Sequence, residues 1–156
     1  MHSNLQIVDF KSEYAGDFER LNREWLERYF RVEDIDQRIL SAPESELIEH
    51  GGHILFARIG SEIVGTVALK HQGGGLFELT KMAVTPAWQG GGIGRALMDA
   101  AIDRFELTGG KKLYLESHSS LTTAIGLYRS AGFLHARHPG SSDYARSDTY
   151  MVYQRA

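Results

Sequence analysis

The stretch ELTKMAVTPAWQGGGIGRALM, from Glu78 to Met98, decides the fold. Its first part predicts a strand, in which side chains alternate between the two faces of a sheet. The positions expected to share one face of this strand are Leu76, Glu78, Thr80, Met82 and Val84. Pro86 cannot donate to a sheet ladder, so it marks the end of the strand. An amphipathic helix is then predicted from about Gly92 to Leu107.

Four glycines separate this strand from the body of the helix: Gly90, Gly91, Gly92 and Gly94. The first turn of a helix has amide groups without partners inside the helix, and they lie at the positive end of its dipole. Because glycine has no Cβ, a phosphate can come within hydrogen-bond distance of those amides. The segment therefore predicts a site that binds an anion.

Two common phosphate-binding patterns fail at these glycines. A dinucleotide-binding G-x-G-x-x-G would need a third glycine where Arg95 or Leu97 stands, and the chain has no G-x-x-x-x-G-K-[ST] run. The pattern that fits is Q-x-x-G-x-G, from Gln89 to Gly94, followed by an apolar helix. Together with the V-T-P from Val84 to Pro86, it resembles the pyrophosphate-binding motif of the GNAT superfamily, the acyl-CoA-dependent N-acyltransferases.

A second segment strengthens this resemblance. From Ala124 to Phe133 the chain reads AIGLYRSAGF, which is similar to the other GNAT signature, A-I-x-L-Y-x-x-x-G-F, on the helix that flanks the CoA arm. The two segments stand in family order, and the resemblance covers about residues 54–133. Many family members have an asparagine seven residues before the tyrosine, where this chain has Leu121. That departure concerns the local pantetheine contacts and leaves the expected fold unchanged.

The resemblance implies one domain, over residues 1–156, of the mixed α/β (α+β) class with the GNAT fold. That fold is a twisted mixed sheet with helices on both faces, whose strands splay near Pro86 to admit the pantetheine arm. The residues predict a short first strand at 5–8, closed by Asp9, and further strands at 53–59, 62–70, 76–85, 112–116 and 149–154. They predict helices at 12–29 with Ser12 as cap, 32–40, 92–107, and within 117–130 with Ser119 or Ser120 as cap. The succession strand, helix, strand around 92–107 predicts a parallel pair.

The activity implied is N-acetyl transfer from acetyl-CoA to a primary amine of a small molecule or peptide, by direct attack in a ternary complex. The chain has no cysteine that could carry an acyl-enzyme. By resemblance, the residues that bind acetyl-CoA are Met82, Ala83, Val84, Gln89, Gly90, Gly91, Gly92, Ile93, Gly94, Arg95 and Tyr128. The backbones of Met82 and Val84 are expected to pair with the pantetheine. A binding module that senses acyl-CoA without transferring the acyl group is the alternative.

Two residues are candidates for proton transfer. Tyr128, the tyrosine of the second motif, is the candidate general acid, because a phenol with a pKa near 10 is protonated at neutral pH and can protonate a leaving thiolate. Glu78, on the strand that leads to the glycine loop, is the candidate general base, provided that burial raises its pKa. The alternatives are a core tyrosine, a carboxylate on the strand surface, and an amine that needs no dedicated base.

The acceptor site is less specified. Trp25 and Tyr29, near the end of the first helix, are candidates for its wall, although an aromatic stripe also packs on a sheet. His118 follows a strand end and is a candidate substrate ligand or second base, with a surface histidine as the alternative. Tyr144 lies in a polar loop that can border the site. Acidic groups at Glu78, Asp143 and Asp148 would suit a cationic amine, whereas Tyr144 with Arg146 would suit a carboxylate.

Composition excludes several other classes of protein. With 42% hydrophobic and 24% charged residues the chain reads as globular, and its net charge of −3, without a basic aromatic patch, argues against nucleic acid binding. No cysteine is available for a disulfide or a thiolate metal site, and the seven histidines lack a spaced third ligand, so no metal is expected. Without a spanning apolar run or a signal peptide, no membrane partner and a cytoplasmic location are expected. A homodimer is possible for proteins of this type.

Overall fold

A computed structural model describes residues 4–155; the predicted domain also includes residues 1–3 and 156, which lie outside the described part. The strands found there are β1 (Leu5–Asp9), β2 (His53–Ile59), β3 (Glu62–His71), β4 (Leu76–Val84), β5 (Lys112–Ser117), β6 (Phe133–His135) and β7 (Thr149–Tyr153). They form one sheet in the order β1-β2-β3-β4-β5-β7-β6. The predicted strands are all present, and β6 is an additional one.

The sheet is mixed, as predicted, because β4 and β5 run parallel while the other neighbouring strands run antiparallel. The β4–β5 ladder joins Leu76–Glu78 to Lys112–Tyr114 and goes no further. Beyond Glu78, β4 continues for six residues without pairing to β5. The two strands therefore splay toward Pro86, and their separation leaves a slot between them, as the family resemblance implied.

Helices cover both faces of the sheet, as predicted. They are α1 (Ala15–Tyr29), α2 (Asp34–Ser41), α3 (Pro43–Glu46), α4 (Ile93–Leu107) and α5 (Thr122–Ser130). Along β2, Leu55 packs in the core formed with α4, whereas the adjacent Phe56 packs in the core formed with α1 and α2. This alternation places α1 and α2 on one face of the sheet and α4 on the other. The first face carries the candidate acceptor residues of α1.

An extra residue in β4 changes the faces that the sequence predicted. Thr66 and Ala68 of β3 pair with Ala83 and Thr80, so three steps of β4 oppose two of β3, and Lys81 adopts a left-handed φ of 54°. Such a bulge exchanges the faces on its two sides. Glu78 and Thr80 therefore face α1, while Met82 and Val84 pack on the α4 side. The prediction that all five alternate residues share one face is wrong for this reason.

The helix starts also differ from those predicted. Ser12 does not cap α1, because a 3₁₀ turn over Ser12–Tyr14 precedes that helix. Leu121, rather than Ser119 or Ser120, precedes α5, and no side chain caps it. In contrast, the side chains of Glu33 and Asp36 form a reciprocal capping box at α2. Within residues 4–155, no helix is long and apolar enough to cross a membrane.

Candidate active site

A groove of about 580 Å³ lies between the unpaired half of β4, the start of α4 and the start of α5. Nine residues predicted to bind the cofactor line it: Met82, Ala83, Val84, Gln89, Gly90, Gly92, Gly94, Arg95 and Tyr128. Two others do not line this groove. Ile93 is buried in the α4 core, and Gly91 lies outside the groove wall. The groove therefore follows the two motifs that the sequence analysis singled out.

The glycine loop has a backbone that other residues would strain. Gly90 and Gly92 have φ angles of 82° and 85°, in the left-handed region that glycine adopts without cost. The Gln89 side chain donates from Nε2 to the carbonyl oxygen of Val84 at 2.9 Å and so ties the loop to the end of β4. Arg95, at the entrance to α4, donates to Asp99 at 3.0 Å and to the Ser130 hydroxyl at 3.1 Å.

A second, smaller cavity of about 80 Å³ lies deeper between the sheet and α1. Its walls come from α1, β4, β5, α5 and the loop between β6 and β7. Four residues border both this cavity and the groove: Trp25, Met82, Leu121 and Tyr128. The two spaces therefore meet beside the Tyr128 side chain. A group carried along the groove would reach the small cavity at this junction.

Glu78 lies in the wall of the small cavity, with 3% of its surface exposed. Burial raises the pKa of Glu78 to about 7; the charge of Lys81 lowers it, and that of Glu116 raises it further. With a pKa of about 7, the carboxyl group can exchange a proton within the neutral pH range. This meets the condition that the sequence analysis set for a general base.

Tyr128 faces the junction from α5, where its ring lies edge-on to Phe133 at a centroid distance of 6.4 Å. Burial raises the pKa of Tyr128 to about 12. The phenol therefore stays protonated throughout the neutral range and is available as a proton donor.

Glu116 is a cavity residue that the sequence analysis missed. Its Oε1 lies 3.2 Å from Nε2 of His138 and accepts from the Ser147 hydroxyl at 3.5 Å. Because the Gly140 amide donates to Nδ1 of His138 at 3.0 Å, the neutral ring carries its proton on Nε2, toward Glu116. The available signal was the predicted parallel pair of strands. In the structure Glu78 pairs with Tyr114, and Glu116 lies on the same face of β5 two residues later.

The four candidate acceptor residues are distributed over both spaces. Trp25 borders both, whereas Tyr29, 42% exposed, lines the groove and packs against Trp25 with the two rings tilted at 47° and their centroids 5.2 Å apart. His118 lines the small cavity, where its Nδ1 accepts from the Ser120 amide at 3.0 Å and its ring contacts Phe30. Tyr144 completes the wall as a buried residue.

Tyr144 and Arg146 do not form an open carboxylate-binding pair. Arg146 donates to Asp36 at 2.7 and 2.9 Å and to Glu33 at 3.1 Å, so its guanidinium group is already bound. Burial raises the pKa of Tyr144, whose ring lies 4.8 Å from both Lys81 Nζ and the Arg146 guanidinium carbon. The acidic loop residue Asp148 is also occupied, because it accepts from the amide and hydroxyl of Ser119.

No cluster of three metal-ligating side chains occurs among residues 4–155. His138 contacts Glu116 and lies against the Tyr150 ring, with a centroid distance of 5.0 Å. The site is thus built from carboxyl groups, phenols and backbone amides. These groups can bind an anion, take a proton and give one.

The family model of the acetyltransferase (GNAT) family matches residues 14–133, and the chain belongs to this family. It is 35% identical over 91 residues to the N-alpha-acetyltransferase RimI of Mycobacterium tuberculosis, a match that covers 56% of each chain. The chain thus matches little more than half the length of this curated relative.

Solved structures show the same fold. A GNAT acetyltransferase from Staphylococcus aureus has a TM-score of 0.85 at 18% identity, over 96% of this chain and 98% of that one. The structure of yncA from Salmonella typhimurium with its cofactor acetyl-CoA has a TM-score of 0.75 at 23% identity, over 97% and 94% of the two chains. At these identities the likeness concerns the fold alone.

Proposed function

We propose that this chain transfers the acetyl group of acetyl-CoA to a primary amine, with both substrates bound at once. The observation that carries the proposal is the junction at Tyr128 between a groove walled by the glycine loop and the small cavity walled by Glu78. The groove suits a phosphate-bearing thioester, because a helix N-terminus and glycine amides favour anions. Acetyl-CoA bound to the structural relative yncA gives this assignment independent support.

The roles follow from the positions of the two titrating groups. Glu78 takes the proton from the acceptor ammonium group in the small cavity, which leaves a neutral nitrogen to bond to the acyl carbon. As the carbon–sulfur bond breaks, Tyr128 gives its phenolic proton to the leaving thiolate. The bonded nitrogen releases its remaining extra proton to solvent, which leaves a neutral amide, and Tyr128 and Glu78 return to their starting states by proton exchange with solvent. The amides of Met82 and Val84, at the unpaired end of β4, are the proposed donors to the acyl oxygen.

Glu116 has a different proposed role from Glu78. Its oxygen Oε1 is engaged by His138 and Ser147, which hold the side chain in one orientation. A fixed carboxylate of this kind suits the binding of an ammonium group before its proton is removed. We propose that Glu116 attracts the acceptor and that Glu78 deprotonates it.

Thermal unfolding with acetyl-CoA, and with NADH and ATP as controls, tests the binding half of the proposal. Ligand at about 100 times Kd stabilises a fold by about 2.7 kcal/mol, which is a melting shift of roughly 5–10 °C for a chain of this size. A shift with acetyl-CoA alone supports the proposal. A larger shift with NADH or ATP refutes the assignment of the glycine loop.

Release of free thiol from acetyl-CoA, measured with and without a panel of amines, tests transfer. Acceleration by an amine supports the enzyme. Tight binding without acceleration by any amine identifies the chain as an acyl-CoA sensor instead. The organisation of residues 1–156 as one domain, the homodimer, the cytoplasmic location and the lack of nucleic acid partners stay predictions.

A further inference from the structure

Asp36 joins three separate parts of the chain beneath the small cavity. This α2 residue has no exposed surface and accepts from Lys81 Nζ at 2.7 Å and from two nitrogens of Arg146 at 2.7 and 2.9 Å. It also accepts from the amide of Glu33 at 2.9 Å. One carboxylate thus holds α2, the bulge of β4 and the loop that carries Tyr144. Arg146 and Lys81 keep the pKa of Asp36 at about 2 despite its burial.

These contacts decide which charges the cavity presents to a ligand. Lys81 and Arg146 both line the cavity, but Asp36 and Glu33 balance their two positive charges at hydrogen-bond distance. The cavity wall also contains the carboxyl groups of Glu78 and Glu116. Among the described residues, neither of these two groups is bound to a Lys or Arg side chain. A ligand with an ammonium group is attracted there, whereas a ligand carboxylate meets like charge.

We propose that Asp36 is a positioning residue that holds the charges of Lys81 and Arg146 away from the acceptor, so that the site selects cationic amines without an adjacent carboxylate. This inference rests on the proposed function, because it assumes that the small cavity receives the acceptor amine. The arrangement of charges around the cavity is present whether or not acetyl transfer occurs. A buried charge pair of this kind is weak evidence of a role in stability. Its position under the cavity makes selection the more direct reading.

Glu78 reports on this arrangement because charges on several elements face it. Lys81 on β4 and Lys70 on β3 stabilise its ionised form, whereas Glu116 on β5 and Asp143 in the β6–β7 loop oppose ionisation. The phenols of Tyr114 and Tyr144 complete its surroundings, and the pKa of each is raised by burial and by the charge of Glu78. Any change in how Lys81 is neutralised must therefore move the titration of Glu78.

The test is a carbon-13 NMR titration of glutamate side-chain carboxyl groups, with Glu78 assigned from the Glu78→Gln variant. Burial lowers the pKa of Lys81, and the Asp36 carboxylate opposes that lowering, so Asp36→Asn changes the charge beside Glu78 and must move the Glu78 midpoint. Lys81→Met removes the positive charge and keeps the buried volume, so the midpoint rises. Each shift is expected to be about one pH unit, the size that one nearby charge produces.

Asp34→Asn is the matched control, because it makes the same charge change at an exposed position of the same helix turn. Its Glu78 midpoint is expected to equal that of the wild type. If Asp36→Asn does not fold, Lys81→Met decides, since it removes the positive charge that favours ionised Glu78 and must raise the midpoint. Unchanged midpoints in the variants that fold would reduce Asp36 to a structural residue and overturn the proposal.

The same spectra test selection without any turnover. Agmatine and arginine differ by one carboxylate, and their binding is followed through the Glu78 signal. The wild type is expected to bind agmatine at least about tenfold more tightly than arginine, which corresponds to about 1.4 kcal/mol. Asp36→Asn is expected to narrow this ratio. If the wild type bound agmatine and arginine equally, the proposal that the site selects amines without a carboxylate would be overturned. If the wild type showed this selection but no transferase activity, only the proposed function would be overturned.

Discussion

The groove and the small cavity are built in opposite ways. Half of the residues that line the groove come from one short segment, residues 82–95, which includes the glycine loop, and the others come from α1 and from residues 120–128. The small cavity is lined by residues that come from five separate parts of the chain, namely α1, β4, β5, α5 and the β6–β7 loop. The first surface can hold the same ligand in many proteins, because amides are common to all residues. A substitution in any of these parts alters the shape or charge of the small cavity, so we propose that this cavity determines the choice of acceptor.

This difference predicts where substitutions act. Changes of charge in the small cavity should alter catalysis and acceptor choice while acetyl-CoA binding persists. Changes of backbone shape in the groove should alter acetyl-CoA binding first. The following predictions separate the two regions, beginning with the largest expected effect.

Glu78→Gln should lower kcat by about 10²- to 10⁴-fold, because it removes the proposed general base and keeps the side-chain volume. Steady-state kinetics at pH 8 measure the loss, and acetyl-CoA affinity should remain within about twofold, since Glu78 is not in the groove wall. Glu116→Gln is the comparison, and it should mainly raise KM for the amine. The opposite pattern, with kcat lost at Glu116 and kept at Glu78, would exchange the two roles.

The raised pKa of Glu78 also makes a prediction about stability. The pKa of Glu78 is 4.5 in its ordinary state and about 7 in the folded chain. At a pH between these two values, the folded chain keeps the Glu78 proton and the unfolded chain loses it. The stability contributed by protonated Glu78 is therefore full below pH 4.5 and is lost as the pH rises through 7.

Glu78→Gln should remove this pH dependence. Its free energy of unfolding, relative to the wild type, should rise by about 3 kcal/mol between pH 4 and pH 8.5, the equivalent of a shift between two and three pKa units. Urea unfolding at several pH values measures it. A difference between variant and wild type that stays constant with pH would mean that Glu78 is not buried as described.

Tyr128→Phe should lower kcat by about 10²-fold and leave acetyl-CoA affinity almost unchanged, because only the donated proton is lost. Tyr153→Phe is the control, as this tyrosine packs on Phe133 and Phe105 away from both cavities. Pre-steady-state thiol release gives the chemical step directly. Equal rates for wild type and Tyr128→Phe across the pH range would exclude Tyr128 as the acid.

Gly92→Ala should weaken acetyl-CoA binding by about tenfold, because a left-handed φ of 85° costs alanine roughly 1–2 kcal/mol and the loop would relax away from its shape. A Cβ at Gly92 meets no atom within 4 Å, so the effect is one of conformation rather than of a clash. Gly74→Ala is matched, with a φ of 61° and equally open surroundings in the β3–β4 turn. Calorimetry should show that Gly74→Ala leaves the acetyl-CoA affinity unchanged. If both variants weakened acetyl-CoA binding equally, the effect would be one of general destabilisation.

The same contrast explains what the sequence could predict. Each of the two motifs, Gln89 to Gly94 and Ala124 to Phe133, is an unbroken stretch of sequence. Their residue spacing was therefore enough to predict the family, the fold and the groove. The face of Met82 was mispredicted because an inserted residue at Lys81 is a property of the β3–β4 pairing, which no local pattern records. A bulge with a buried lysine at positive φ needs a distant partner, and nothing in the sequence near Lys81 indicates Asp36.

Glu116 and Arg146 show the same limit at the cavity itself. Glu116 could have been placed by extending the β4–β5 pairing two residues, since the strand and its direction were predicted. Arg146 could not, because its partners lie on α2, more than a hundred positions away in the chain. The prediction that Arg146 would suit an acceptor carboxylate came from residue type alone. The contacts of Arg146 with Asp36 and Glu33 argue against that prediction.

The most direct measurement is a crystal structure of the protein with acetyl-CoA. Pyrophosphate oxygens are expected at hydrogen-bond distance, about 3 Å, from amides of residues 90–95. The thioester is expected at the junction where Tyr128 and Met82 border both cavities, with its acetyl group directed toward Glu78. A pyrophosphate bound elsewhere, or a thioester out of reach of the Tyr128 hydroxyl, would contradict the account of how the two cavities work together.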